Sequence, residues 1–260
     1  MFPGAIEVVP ATYLDQLGTI FARFAPKDSG NISYGLQTAT DRYFVKTAGD
    51  ATDAYVNFPD RVALLRNAIE LAESVPHPVL PALHAVIESP SGPLLVYEWR
   101  DGELFGDSTS RERFHALPTA EILAAVNALY DLHAALDAAG WVECDFYNSS
   151  MLYDFPAHRL TVFDLDLYHR GPTRNTMGRM FGSSSYMAPE QHVLGAPIDT
   201  RTTAYVMARA GQLLLPDPPQ PVADVLIEAT TTRFPSYQAF YAAWLTASST
   251  IDASRPNRST

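Results

Sequence analysis

The sequence predicts an α+β protein in two parts, a strand-rich first hundred residues followed by a mostly helical remainder. Three observations carry that expectation. Residues 33–38 and 43–47 are short runs joined by a turn at Thr40-Asp41-Arg42 and read as a hairpin. A helical pattern then extends from about 119 to 139 and stops at Gly140, a favoured residue just past a helix end. Three more helical patterns follow at 202–215, 222–230 and 236–247.

The remaining elements fill in around these. Leu14, Leu17, Ile20, Phe21 and Phe24 recur near helical spacing, predicting a short amphipathic helix over 13–24, or a helix whose last residues begin a strand. Leu64, Leu65, Ala68, Ile69, Leu71 and Ala72 give a helix over 61–75, ended by Pro76-His77-Pro78. Residues 93–99 form an apolar run bounded by Ser-Gly before and Asp101-Gly102 after, consistent with a buried strand. Residues 150–153 and 160–165 flank a turn at Asp154-Phe155-Pro156 and form a second hairpin candidate. The expected organisation is a first part over 1–100, a helical second part over 101–247, and a loose polar tail over 248–260.

Composition excludes several classes. With 260 residues, 47% of them hydrophobic, the chain can bury a full core. No stretch approaches the roughly 20 apolar residues of a membrane span, and Met1-Phe2-Pro3-Gly4-Ala5 lacks the basic start of a secretory signal, so a cytoplasmic protein without a membrane partner is expected. The single cysteine, Cys144, excludes an internal disulfide and a multi-cysteine zinc site. A formal charge of −11 argues against nucleic acid as a partner, because phosphate binding needs concentrated Lys and Arg.

Four pieces then occur in a telling order: Tyr43-Phe44-Val45-Lys46, Asp145 ahead of Met151-Leu152, Asp164-Leu165-Asp166, and Tyr186-Met187-Ala188-Pro189-Glu190. This order resembles the protein-kinase signature set of a strand lysine, a catalytic-loop aspartate, a metal-binding aspartate and a closing Ala-Pro-Glu. The resemblance covers roughly residues 28–245. It implies a bilobal protein-kinase-like fold, with a small antiparallel-sheet N-lobe and a reduced helical C-lobe, and a phosphotransferase using ATP and magnesium.

Residue by residue, the resemblance implies the following roles. Lys46 would contact the nucleotide phosphates. Gly30-Asn31-Ile32-Ser33-Tyr34-Gly35 resembles the glycine-rich loop, with Ile32 in place of its middle glycine, which makes Gly30, Asn31, Ser33 and Gly35 candidate nucleotide contacts. The stretch Ser29-Gly30-Asn31 to Lys46 also looks like the nucleotide loop of aminoglycoside and choline phosphotransferases. Leu95-Val96-Tyr97-Glu98-Trp99 resembles the hinge strand, where backbone groups around Glu98 and Arg100 would bind adenine and Tyr97 would line the back of the pocket. Asp145 stands where the base aspartate orients the attacking hydroxyl. Asp164 stands where an aspartate holds magnesium, a hard ion taking oxygen ligands. Asp166 is as readily a turn or cap residue as a ligand.

The departures from the pattern are definite. Glu143-Cys144 replace His-Arg, Tyr147 takes the usual lysine position, and Ser150 the usual asparagine position, which transfers metal binding to Asn148. The helix glutamate that pairs with the strand lysine falls near Asn67 or Ala68, and Glu70 and Glu73 do not align with it. Thr203 stands where kinases place an aspartate that anchors the catalytic loop, and Arg233 resembles the late arginine that pairs with Glu190. Cys144 reads as a small packing residue.

The 183–190 stretch is typical of Ser/Thr protein kinases and favours a protein hydroxyl as acceptor. Pro216-Asp217-Pro218-Pro219-Gln220-Pro221 leaves no room for the extra helix that protein kinases use for docking, which favours a small-molecule hydroxyl instead. A cationic small acceptor would call for an acidic pocket including Asp101, Glu103 and Glu143. A pseudokinase that binds nucleotide without catalysis is the third reading.

Overall fold

The computed structural model describes residues 2–24, 30–49 and 57–253. The chain is α+β and divides into two compact units, one formed by Met1–Asp101 together with Asp164–Leu167, the other by Gly102–Phe163 and Tyr168–Thr260.

The first unit runs α1 (Pro10–Leu17), β1 (Thr19–Phe24), β2 (Ile32–Gln37), β3 (Arg42–Thr47), α2 (Phe58–Ser74), β4 (Leu83–Ile87) and β5 (Leu94–Glu98). Its five strands form an antiparallel sheet in the order β1-β2-β3-β5-β4. Directly opposed residues of antiparallel strands share a face. The register Ser33↔Lys46↔Leu95 and Gly35↔Phe44↔Tyr97 therefore puts these side chains on one face. The opposite face, with Ile32, Tyr34, Leu36, Val45, Leu94 and Val96, packs with Leu14 of α1 into an apolar cluster. On the Lys46 side, Ala48 and Leu95 pack with Leu65 and Ala68 of α2.

The stretch around 13–24 takes the second of its two expected forms: a helix that starts earlier, at Pro10, ends at Leu17, and the last residues of the stretch form β1. A Cβ at Gly18 would lie 2.2 Å from the Gln37 carbonyl oxygen, so the chain passes tight against the end of β2, and the β-branched and aromatic Thr19-Ile20-Phe21 then joins the sheet. Strand β4 was not anticipated, because Pro76, Pro78 and Pro81 hide its short alternation.

The second unit runs β6 (Glu103–Leu104), α3 (Ser108–His115), α4 (Thr119–Ala138), β7 (Trp141–Val142), a 3₁₀ turn (Asn148–Ser150), β8 (Met151–Asp154), β9 (Arg159–Val162), β10 (His169–Arg170), β11 (Thr173–Arg174), a 3₁₀ turn (Pro189–His192), β12 (Pro197–Ile198), α5 (Thr200–Leu214), α6 (Gln220–Thr231) and α7 (Tyr237–Ala253). Helix α4 is its axis. It buries Leu129, Tyr130, Leu132, His133 and Leu136, Tyr130 donates to the Met207 carbonyl of α5 at 2.9 Å, and Tyr237 of α7 donates to the Tyr130 carbonyl at 2.8 Å. Helix α3, also unanticipated, is polar and starts at Asp107, whose carboxylate accepts the Thr109 N–H at 2.7 Å.

The expected loose tail is corrected over 248–253, which continues α7. The hydroxyls of Ser248, Ser249 and Thr250 bond back to carbonyls three residues earlier, so this polar stretch satisfies itself within the helix. Residues 254–260 lie outside the described ones. Among the described residues no helix is long and apolar enough to cross a membrane.

Glu190 and Arg233 form the expected ion pair at 2.7 Å, and Thr202 donates to the same carboxylate at 2.8 Å. Burial opposes the charge on Glu190, but the bonds from Arg233 and Thr202 outweigh it and hold the carboxyl below its ordinary value. Because the folded value lies below the unfolded one, this stabilisation is complete above about pH 4.5 and is lost as the pH falls. We expect Glu190→Gln to cost about 1–3 kcal/mol at neutral pH. Urea unfolding across the acid range should then show a shallower loss of stability in the variant than in the wild type.

Candidate active site

In the first unit, β3 carries Lys46 into a nearly closed environment. Its side chain is 8% exposed, and Nζ lies 2.6 Å from Asp164 Oδ1 and in contact with Asp166 Oδ2. Burial works against the ammonium charge, yet the two carboxylates prevail and hold the Lys46 pKa well above the ordinary lysine range. The two aspartates differ in setting. Asp166 is 8% exposed at its side chain, whereas Asp164 is 46% exposed. Asp164 also has φ 63, in the left-handed region that few non-glycine residues adopt, a backbone cost of order 1 kcal/mol that the surrounding bonds sustain.

Asp166 is the lysine partner that sequence reasoning missed. Its main-chain carbonyl accepts the Asn67 side-chain amide of α2 at 2.7 Å, and the Asn31 side chain bonds to its carboxylate. Position 67 is where the helix glutamate was sought. The helix supplies a neutral amide that fixes the Asp164–Leu167 segment, and the segment supplies the carboxylate. Tyr97 stands close enough that burial, followed by the Asp166 charge, pushes its phenol up.

The other candidate nucleotide contacts fall as follows. Asn31 is buried against Asp166, and Ser33 is buried opposite Lys46 in the sheet. Gly30, with φ 71, leads into β2, and Ser29 lies outside the described residues. Gly35 is corrected. It is an interior residue of β2, and a Cβ there would lie 2.7 Å from the Phe21 ring and 3.0 Å from Trp99, so its missing side chain admits two aromatic rings. The Glu98 amide bonds to the Ala82 carbonyl at 2.8 Å. Arg100 pairs with the Glu98 carboxylate at 2.7 Å.

In the second unit, the loop between β7 and the first 3₁₀ turn carries Asp145, which is 9% exposed. The Glu143 amide donates to the Thr203 hydroxyl at 3.1 Å, so threonine does anchor this loop. Below it, His133 bonds to the Leu129 carbonyl at 2.9 Å through Nδ1 and to the Tyr168 hydroxyl at 2.8 Å through Nε2. A carbonyl can only accept, so Nδ1 carries the proton and Nε2 accepts from Tyr168. Asn148 donates through Nδ2 to the Phe105 carbonyl at 3.0 Å, which leaves its Oδ1 as the atom able to ligate a metal. Cys144 is buried, and burial pushes its thiol up, away from nucleophilic character.

Glu143 is fully buried beside Asp145 and receives the Gln191 amide at 3.3 Å. Burial, then the Asp145 charge, pushes its carboxyl well above the ordinary range. Gly182, with φ +104, lies against Asp145, where an added Cβ would stand 3.0 Å from Oδ1.

For magnesium, the half-exposed Asp164 carboxylate is a suitable hard-oxygen donor, since that ion takes one or two carboxylates and fills its shell with phosphate and water. Among the described residues there is no group of three or more His, Cys, Asp or Glu able to hold a metal unaided. No protein-family model matches this chain, and no curated protein matches it significantly.

Two outcomes test these local networks. Asp166→Asn removes one of the carboxylates that offset the burial of Lys46, so the Lys46 pKa should fall. Acetylation of Lys46, followed by mass spectrometry between about pH 8 and 10, should become much faster than in the wild type. Glu143→Gln should remove a pH dependence: a carboxyl raised in the folded state favours folding at low pH and loses that contribution as the pH climbs toward its folded value. Thermal unfolding of the variant should therefore decline less between about pH 5 and 8 than that of the wild type.

Proposed function

We propose that this protein is an ATP- and magnesium-dependent phosphotransferase that transfers the γ-phosphate to an alcohol, with protein Ser or Thr as the favoured acceptor. The observation that carries the reading is the meeting of Lys46 at the end of β3 with Asp164, 118 positions later and just past the β8–β9 hairpin. Phosphoryl transfer depends on positioning and charge stabilisation, and this pairing unites a phosphate-binding cation with a metal-binding carboxylate.

In this reading Lys46 holds the nucleotide phosphates while Asp166 keeps the ammonium protonated and aimed. Asp164 in the first unit would hold magnesium, the resemblance implies Asn148 in the second as a further ligand, and the bound ion would neutralise phosphate charge. Asp145 accepts a hydrogen bond from the attacking hydroxyl and orients it, beside Glu143, whose carboxyl burial pushes up.

Two observations bear on the alternatives. The acids that a cationic small acceptor would use are engaged elsewhere: Asp101 with Arg42, Glu103 with Arg113, and Glu143 in burial. The absent helix glutamate, which favoured a pseudokinase, is compensated by Asp166.

The test is nucleotide binding and turnover by purified protein, with and without magnesium. Wild type should turn over ATP only with magnesium. Asp145→Asn should retain binding and lose about 10²–10⁴-fold in turnover, and Asp164→Ala should abolish the magnesium dependence along with turnover. Full turnover in either variant would refute the reading.

A further inference from the structure

Arg113, Arg159, Arg201 and Arg233 of the second unit each pair with a carboxylate. Arg174 instead donates to the Gly195 carbonyl at 2.8 Å, and Arg111, Arg179 and Arg209 also pair with no carboxylate. Among the described residues, no carboxylate lies within ion-pair distance of these three, although the chain holds 29 acidic residues against 18 basic ones. They are held by neutral oxygens around the Asp145 loop. Arg179 donates to the Gly182 carbonyl at 3.0 Å and to the Ser184 hydroxyl at 3.2 Å, and Gly182 is the residue lying against Asp145 Oδ1. Arg209 donates to the Ser185 carbonyl at 3.1 Å and to the Gln212 side chain. Arg111 donates to the Phe105 carbonyl, the same oxygen that receives Asn148.

A neutral hydrogen-bond partner fixes a guanidinium without cancelling its charge. Three such groups around one loop create a local positive field in an otherwise acidic protein, and that field selects against cationic partners and for anionic ones. Arg179 and Arg209 reach the chain at separate positions, Ser184 and Ser185, and Arg111 arrives by way of Phe105. Charges spread in this way suit several anionic groups along a strand of polypeptide better than one compact anion. Ser184 and Ser185 are themselves exposed, so the segment presents an open surface.

We propose that Arg111, Arg179 and Arg209 form an acceptor-recognition surface beside Asp145 that selects a Ser or Thr flanked by acidic residues in a peptide. As a site for the acceptor of phosphoryl transfer it rests on the phosphotransferase reading above; as an anion-recognising surface it does not.

The experiment is equilibrium binding of three fluorescently labelled short peptides to the full chain by anisotropy, without nucleotide. Each carries one serine, flanked by glutamates, alanines or lysines. The glutamate peptide should bind about tenfold or more tightly than the alanine peptide, the lysine peptide should bind weakest, and added salt should erode the difference. Arg179→Gln, at an exposed side chain, should reduce the preference, and Arg179→Gln with Arg209→Gln should remove it, with binding of a fluorescent ATP analogue unchanged. Equal binding of the glutamate and alanine peptides, or a preference that survives the double substitution, would overturn the proposal. A glutamate preference in a protein that phosphorylates none of the peptides and binds no nucleotide would instead overturn the phosphotransferase reading and leave the anion-recognising surface standing.

Discussion

An ammonium group removed from water must be neutralised nearby, and the first unit is organised around that requirement. Lys46 sits on a central strand with 8% of its side chain exposed, and the sheet that holds it offers no carboxylate of its own on that face. The charge is met by Asp164 and Asp166. Once these are in place, further polar groups have defined partners: Asn31 and Asn67 fix Asp166, and Asp164 is left in a strained backbone conformation with its carboxylate turned partly to solvent. One buried charge thereby sets the conformation of a segment that belongs to the second half of the sequence.

The second unit solves a related problem with the opposite sign. Glu143 and Asp145 are two residues apart, both buried, and their charges cannot comfortably coexist. Burial and the Asp145 charge push the Glu143 carboxyl up, toward its neutral form, and Gln191 and Thr203 fix the side chain and the amide of the same residue. Gln191 also accepts the Ala188 amide at 2.8 Å, which ties the Ala188-Pro189-Glu190 turn to the Asp145 loop. The Glu190–Arg233 pair then holds the far side of that turn against the last helices.

Elements with a strong local signature were legible in the sequence. The β2–β3 hairpin, α2, α4 and the β8–β9 hairpin follow from periodicity and turn residues, and Lys46 and Asp164 could be singled out from the order of short motifs. What was not legible depended on contacts across long separations. Asp166 looks like a turn residue until Lys46 is placed beside it, and Asn67 looks like a failed glutamate until its amide is seen on the Asp166 carbonyl. Gly35 resembles a loop glycine because sequence does not show that Phe21 and Trp99 close over it. The three arginines around the Asp145 loop come from α3, a loop and α5, and no spacing rule links them.

The first unit is discontinuous, and this bears on how the chain is made. Residues 1–101 leave the ribosome well before Asp164–Leu167, so for the whole interval in which the second unit's first elements are synthesised the nascent sheet carries a lysine without its counter-charges. Completion of the N-terminal unit is therefore tied to translation of residue 166, and the two units emerge as interleaved folding tasks instead of consecutive ones.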